Sequence, residues 1–331
     1  MVIEGCESSD DIKYYCGMAA PEDIEPLGDH PWLLVSELGD LSAGTSGYIS
    51  ALNIETDEFM RLQAQEVPDS VFSQCGSLPS KLRPRGFHVS DLADDGFRLL
   101  VVNAALGERI ERYRVDVGAE GPTLTWQGCV DVPETVFPND VAATGDHGFV
   151  VSHMYGEPRG PWLTTKHFLG IHTGHAAAWD PDAGWHKIEG TEASFPNGIE
   201  ADPATGRVFL GSTYGQTFVS AALDGTEAKS VRIPVQSDNL TWTPDGRLLS
   251  VGHTGIPMLG TRGCRGLPGV PCSFPFSVVA VDPVTLSQEI VFEHKGGQIP
   301  GASVALHHQG FLYMGTVFGD RISRVQFLVD P

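Results

Sequence analysis

Two short stretches place an amide at the same point: "FPNDV" carries Asn139 and "FPNGI" carries Asn197, 58 residues apart. Glu22 in "PEDIEPL" and the pair Asp238–Asn239 in "SDNLTW" occupy the corresponding points of two further stretches. All five side chains offer oxygen, and none offers sulfur or imidazole. Such a set suits a hard cation: Ca²⁺ takes roughly 6–8 oxygens, with water completing the shell, and two carboxylates balance its charge. Zinc, which prefers His and Cys, is disfavoured. Taken singly, Asn and Asp are ordinary turn residues. Their recurrence at equivalent points of a repeated unit makes them a candidate metal centre.

The unit is a polar or small pair, an apolar residue, a turn with Gly, then an apolar strand ending in small or polar residues. It occurs six times, marked at Glu22, Arg85, Asn139, Asn197, Asn239 and Ser303, with gaps of 63, 54, 58, 42 and 64 residues. Further alternating stretches such as "ERIERYRVDV" and "TFVSAALDG" fill the gaps, about four strands to each, as in a propeller blade. The expectation is an all-β chain: a six-bladed β-propeller with a central channel, one domain over residues 1–331. A two-sheet sandwich explains neither the count nor the spacing. In a propeller the innermost strand of each blade lines the channel, so the residues just before those strands converge on one mouth.

Bulk properties agree. The 331 residues are 41% hydrophobic with Gly 39 and Pro 23, a turn-rich composition with a large core. A net charge of −21 argues against nucleic acid and acidic membrane surfaces, which need clustered Lys and Arg. No run of about 18 apolar residues suggests a membrane span. The polar start "MVIEGCESSDD" is unlike a signal peptide, so a cytoplasmic location is expected, with a processed secreted form left open. Six cysteines show no zinc spacing; Cys264 and Cys272 flank "RGLPGVP" and are spaced to bridge a loop, and free thiols fit equally well.

"PEDIEPL…LLVSE", "FPNDV", "FPNGI…DPATGRVFL", "SDNLTWTPDGRLLSVGH" and "LYMGTVF" together resemble the paraoxonase/arylesterase group of calcium-dependent six-bladed propellers, over about residues 16–328. That group is related to gluconolactonase-like and strictosidine-synthase-like propellers. The resemblance implies a catalytic calcium on Glu22, Asn139, Asn197, Asp238 and Asn239. It also implies a second, structural calcium at Asp23 and Asp140 with a backbone carbonyl near Phe87. The activity implied is hydrolysis of lactones and aryl esters, and in some members phosphotriesters.

The chain departs from that pattern at two positions. Where the family places water-activating histidines, it has Arg85 in "RPRGF" and Ala104 in "VVNAA". Candidate bases are then Asp238, His253 at the end of the fifth copy's strand and His153 at the end of the third's. Each histidine reads equally as a hydrogen-bonded wall residue. Arg85 is a poor base, but its guanidinium suits a substrate carboxylate; pairing with a nearby acid such as Asp91 or Glu22 is the plainer reading. Tyr155, Tyr214 and Phe318 would stand at the mouth as an apolar substrate wall or as packing. The expected function is calcium-dependent hydrolysis of a lactone or ester, a small-molecule substrate. The alternatives are a metal-dependent lyase, isomerase or C–C bond-forming enzyme, and a non-catalytic binding propeller. Oligomeric state is not legible.

Overall fold

In the computed structural model the described residues are 2–39, 45–105, 107–156, 160–255 and 271–327. They form twenty-five strands and one short helix. The strands run β1 (Ile12–Cys16), then β2 (Pro21–Pro26), β3 (Trp32–Glu37), β4 (Tyr48–Asn53) and β5 (Phe59–Arg61) as the first blade. The second blade holds β6 (Ala64–Glu66), β7 (Pro84–Asp91), β8 (Phe97–Asn103), β9 (Arg109–Gly118) and β10 (Gly121–Asp131). The third has β11 (Pro138–Ala143), β12 (Phe149–His153), helix α1 (Pro161–Phe168), β13 (His175–Asp180) and β14 (Gly184–Lys187). The fourth is β15 (Pro196–Asp202), β16 (Arg207–Ser212), β17 (Thr217–Ala222) and β18 (Lys229–Arg232). The fifth is β19 (Gln236–Trp242), β20 (Leu248–His253), β21 (Phe276–Val281) and β22 (Gln288–His294). The sixth joins β23 (Val304–His308), β24 (Phe311–Gly315) and β25 (Arg321–Gln326) to the N-terminal β1, whose Ile12 faces Val325.

The sheets pair antiparallel except at the second blade's outer edge, where β6 runs parallel to β10. This closure is why six repeats make one ring: the last blade lacks an outer strand until the start of the chain supplies it. The apolar faces bury between neighbouring blades. Leu34, Phe87, Leu99 and Trp126 fill the space between the first and second, and Ala142, Ile199, Val208 and Val219 that between the third and fourth. Each interface needs both its blades, so burial makes the ring cooperative.

One irregularity recurs where the channel opens. The register slips by one residue between Pro21 and Asp23, Pro84 and Phe87, Pro138 and Val141, Pro196 and Ile199, and Ser237 and Leu240. A regular strand sends successive side chains to opposite faces. A bulge inserts one extra residue and re-aims its side chain. The sequence places Glu22, Asn139, Asn197 and Asp238 just before the strands; the structure places them within the strands, in the bulges.

Disulfides join Cys6 to Cys16 and Cys75 to Cys129. The expected Cys264–Cys272 bridge lies partly outside the described residues. No described helix is long and apolar enough to cross a membrane.

Candidate metal centre at the channel mouth

The bulges give five of the six inner strands the same layered order. Their first positions are Glu22, Arg85, Asn139, Asn197 and Asp238; their second are Asp23, Gly86, Asp140, Gly198 and Asn239. Next come Ile24, Phe87, Val141, Ile199 and Leu240, all buried in apolar clusters between blades. That apolar layer leaves the bulge residues to project towards the channel.

Four of the five sequence-predicted oxygen residues neighbour one another there, and Asn139 holds the equivalent bulge position of the third blade. Asn197 stands against the Asp238 carboxylate, Asn239 against that of Glu22, and Glu22 and Asp238 repel each other through space. The three asparagines share one orientation. Asn197 Nδ2 donates to Thr213 Oγ1 at 3.0 Å, Asn239 Nδ2 to the Glu22 carbonyl at 3.1 Å, and Asn139 Nδ2 contacts Met154 Sδ at 3.4 Å. With each NH₂ engaged, Oδ1 is turned out. Asn139 Oδ1, Asn197 Oδ1, Asn239 Oδ1 and Glu22 Oε2 are buried with no hydrogen-bond partner among the described residues. Buried acceptors without partners are costly and rare in native folds. Four at one channel mouth fit a hard cation, and their all-oxygen chemistry fits calcium. Burial, then Asp23 and Asp238, hold Glu22 well above the usual carboxylate range; burial raises Asp238 to about 7. A bound dication would reverse both shifts.

The second-layer aspartates already have protein partners. Asp23 accepts the amides of Ile24 at 2.9 Å and Phe87 at 3.0 Å; Asp140 accepts those of Val141 and Ile199, both at 2.8 Å. Each staples its own inner strand to that of the following blade. Glycine permits the approach: a Cβ on Gly86 would lie 2.1 Å from Asp140 Oδ1. Each carboxylate oxygen retains a lone pair, so the pair fits a structural ion without requiring one.

The remaining candidates flank the mouth. Arg85 pairs with a nearby acid, Glu108, at 3.2 Å and donates to the Pro138 carbonyl, and its charge also acts on the Glu22 carboxylate. Ala104 and Glu108 line a hollow of about 440 Å³ with Val136 and Phe137. His153 is buried, takes the Phe137 amide on Nδ1 at 3.0 Å and packs edge-on against His175. His253 stands edge-on to Phe274, ring centroids 4.2 Å apart, and its Nε2 is buried without a hydrogen-bond partner among the described residues. Burial lowers both histidines to about 4. Phe318 packs on Phe274, while Tyr155 and Tyr214 pack with Phe195 and with His167 of α1. The sequence reading missed the anchors Thr213 and Met154, which lie at the ends of neighbouring strands and carry no motif.

No family model matches the chain, and no curated protein matches it. Solved structures do. A luciferin-regenerating enzyme superposes with TM-score 0.55 at 10% identity, covering 95% of this chain and 93% of that one. A protein of unknown function from Bacteroides thetaiotaomicron gives 0.58 at 9% identity, with coverage of 98% and 75%. A putative TolB from Agrobacterium tumefaciens gives 0.50 at 12%, with coverage of 97% and 92%. At these identities what is shared is the fold, a six-bladed β-propeller.

Proposed function

We propose that this protein is a calcium-dependent hydrolase of a lactone or ester. The observation that carries the reading is the shared orientation of Asn139, Asn197 and Asn239, whose amide nitrogens are engaged and whose oxygens are not. Glu22, Asn139, Asn197, Asp238 and Asn239 would hold the ion. Bound there, calcium supplies a Lewis acid that polarises a carbonyl oxygen. A propeller of this architecture hosts an enzyme in the luciferin-regenerating neighbour, which supports a catalytic over a purely interacting role.

The chain's own residues supply the rest. His253, whose Nε2 has no hydrogen-bond partner among the described residues, is the proton acceptor for water. Phe274 and Phe318 stand beside it as an apolar wall. Arg85 keeps N–H groups beyond its contacts to Glu108 and Pro138, enough to engage a substrate carboxylate at the rim. The two disulfides favour an oxidising compartment over the expected cytoplasmic one.

The test is turnover of neutral and carboxylated lactones and aryl esters, with calcium and after chelation. Calcium-dependent turnover is expected. Turnover that survives complete metal removal would sink the mechanism. Arg85 and Ala104, in place of two histidines, favour a second reading, a lyase or isomerase on the same centre. Hydrolysis incorporates solvent oxygen into product, and isomerisation does not.

A further inference from the structure

Deeper in the channel, three side chains that the mouth does not use meet from three blades. Glu25 on β2, His88 on β7 and Glu200 on β15 each lie three residues beyond a first bulge position, Glu22, Arg85 and Asn197. One ligand atom from each lies within 4.8 Å of the other two. Strand alternation explains the meeting. The apolar layer of Ile24, Phe87 and Ile199 turns into the core, and the next residue turns back towards the axis. This fourth layer sits about two strand steps below the second, roughly 7 Å.

We propose that Glu25, His88 and Glu200 form a second metal site, separate from the mouth, for a divalent transition-metal ion of the zinc class. The two glutamates and one imidazole form a nitrogen-and-oxygen set with the charge to neutralise a dication. Glu200 is only 2% exposed, and its Oε2 has no hydrogen-bond partner among the described residues; nor has His88 Nδ1. These two atoms lie 3.5 Å apart without a hydrogen bond between them. Ligands about 2.0–2.2 Å from one tetrahedral ion stand roughly 3.4 Å from each other. The Trp242 side chain stands near the Glu200 carboxylate, in the place of an outer-shell partner. The equivalent residue of the third blade is Ala142, whose small side chain leaves room for water to complete the shell. An ion here would tie together the inner strands of the first, second and fourth blades. The site does not depend on the calcium reading of the mouth.

The experiment is equilibrium dialysis of the metal-free protein against zinc(II), with bound metal counted, for wild type, Asn197→Ala, His88→Gln and Glu200→Gln. Wild type and Asn197→Ala are expected to hold one tight zinc. His88→Gln and Glu200→Gln are expected to bind it more than about 100-fold more weakly, since loss of an outer-shell partner alone costs 10–100-fold. Unchanged binding in His88→Gln, or no tight zinc in wild type, would overturn the proposal; the latter would leave the cluster held by shared protons. Should the variants not fold, X-ray absorption at the zinc edge of the wild-type complex decides. Imidazole scattering with oxygen neighbours is expected, and an all-oxygen shell rejects the site. Calcium uptake lost in Asn197→Ala but kept in His88→Gln reads the mouth independently.

Discussion

The side-chain amide of Asn197 donates to the hydroxyl of Thr213 at 3.0 Å, and that hydroxyl donates in turn to the Ser237 carbonyl at 2.7 Å. The relay runs from the fourth blade to the fifth and sets which face of the amide meets the channel. Thr213→Val should leave the fold intact but release the amide, lowering calcium affinity about 10–100-fold. Isothermal titration reads this; wild-type affinity in the variant would show that the relay does not orient the ligand.

Asp140 ties the third blade to the fourth through the Ile199 amide. Asp140→Ala strands that amide and the one of Val141, and should cost about 2–6 kcal/mol at ~1–3 kcal/mol for each buried unsatisfied group. Gly86→Ala should destabilise as well, because its Cβ would collide with the same carboxylate. Chemical denaturation of both variants, metal-free, measures the effect. A change below about 0.5 kcal/mol would refute the staple.

In the metal-free chain burial raises Asp23 and Asp238 to about 7. The usual value is 3.8, so between 3.8 and about 7 the folded state binds more protons than the unfolded one. The metal-free protein therefore loses the contribution of these two acids as pH rises through that window. Calcium must displace the same protons, so its affinity, and the stabilisation it adds, should grow as pH rises through about 7. Thermal melts with and without calcium between about pH 5 and about pH 8.5 test the sign. A calcium-induced shift that shrinks with rising pH contradicts it.

His253→Gln should lower kcat by about 10²–10⁴-fold, the usual contribution of a general base, while calcium binding is unchanged. Arg85→Ala should raise KM for carboxylated esters and leave neutral ones alone. Steady-state kinetics on matched substrate pairs separate the two. Equal effects on both substrate types would remove the anion-binding role.

Cys75 and Cys129 close a loop across 54 residues. Replacing both with serine should cost roughly 4 kcal/mol on the chain-entropy estimate. Denaturant midpoints of wild type and the double variant, both metal-free, measure it. The shift should vanish when both are compared under reducing conditions.

The sequence alone determined the ring, and it marked a candidate oxygen set at its mouth. Six inner strands carry one local pattern of apolar period and turn residues, and such patterns are legible because strand alternation and turn chemistry are properties of a few neighbouring residues. Equivalent marks in repeated units then implied that Glu22, Asn139, Asn197, Asp238 and Asn239 converge. Only the tertiary structure decided how they are held. The bulges that turn both Glu22 and Asp23 towards the channel appear only against the partner strand's register. The orientation of the asparagines depends on Thr213, Met154 and the Glu22 carbonyl, groups on other strands. Arg85 found Glu108, on the loop between β8 and β9. Glu25, His88 and Glu200 read locally as single polar residues in strands, and become a cluster only when three inner strands from three blades face one channel. Contacts of that kind join residues with no local relation, so no spacing in the chain announces them.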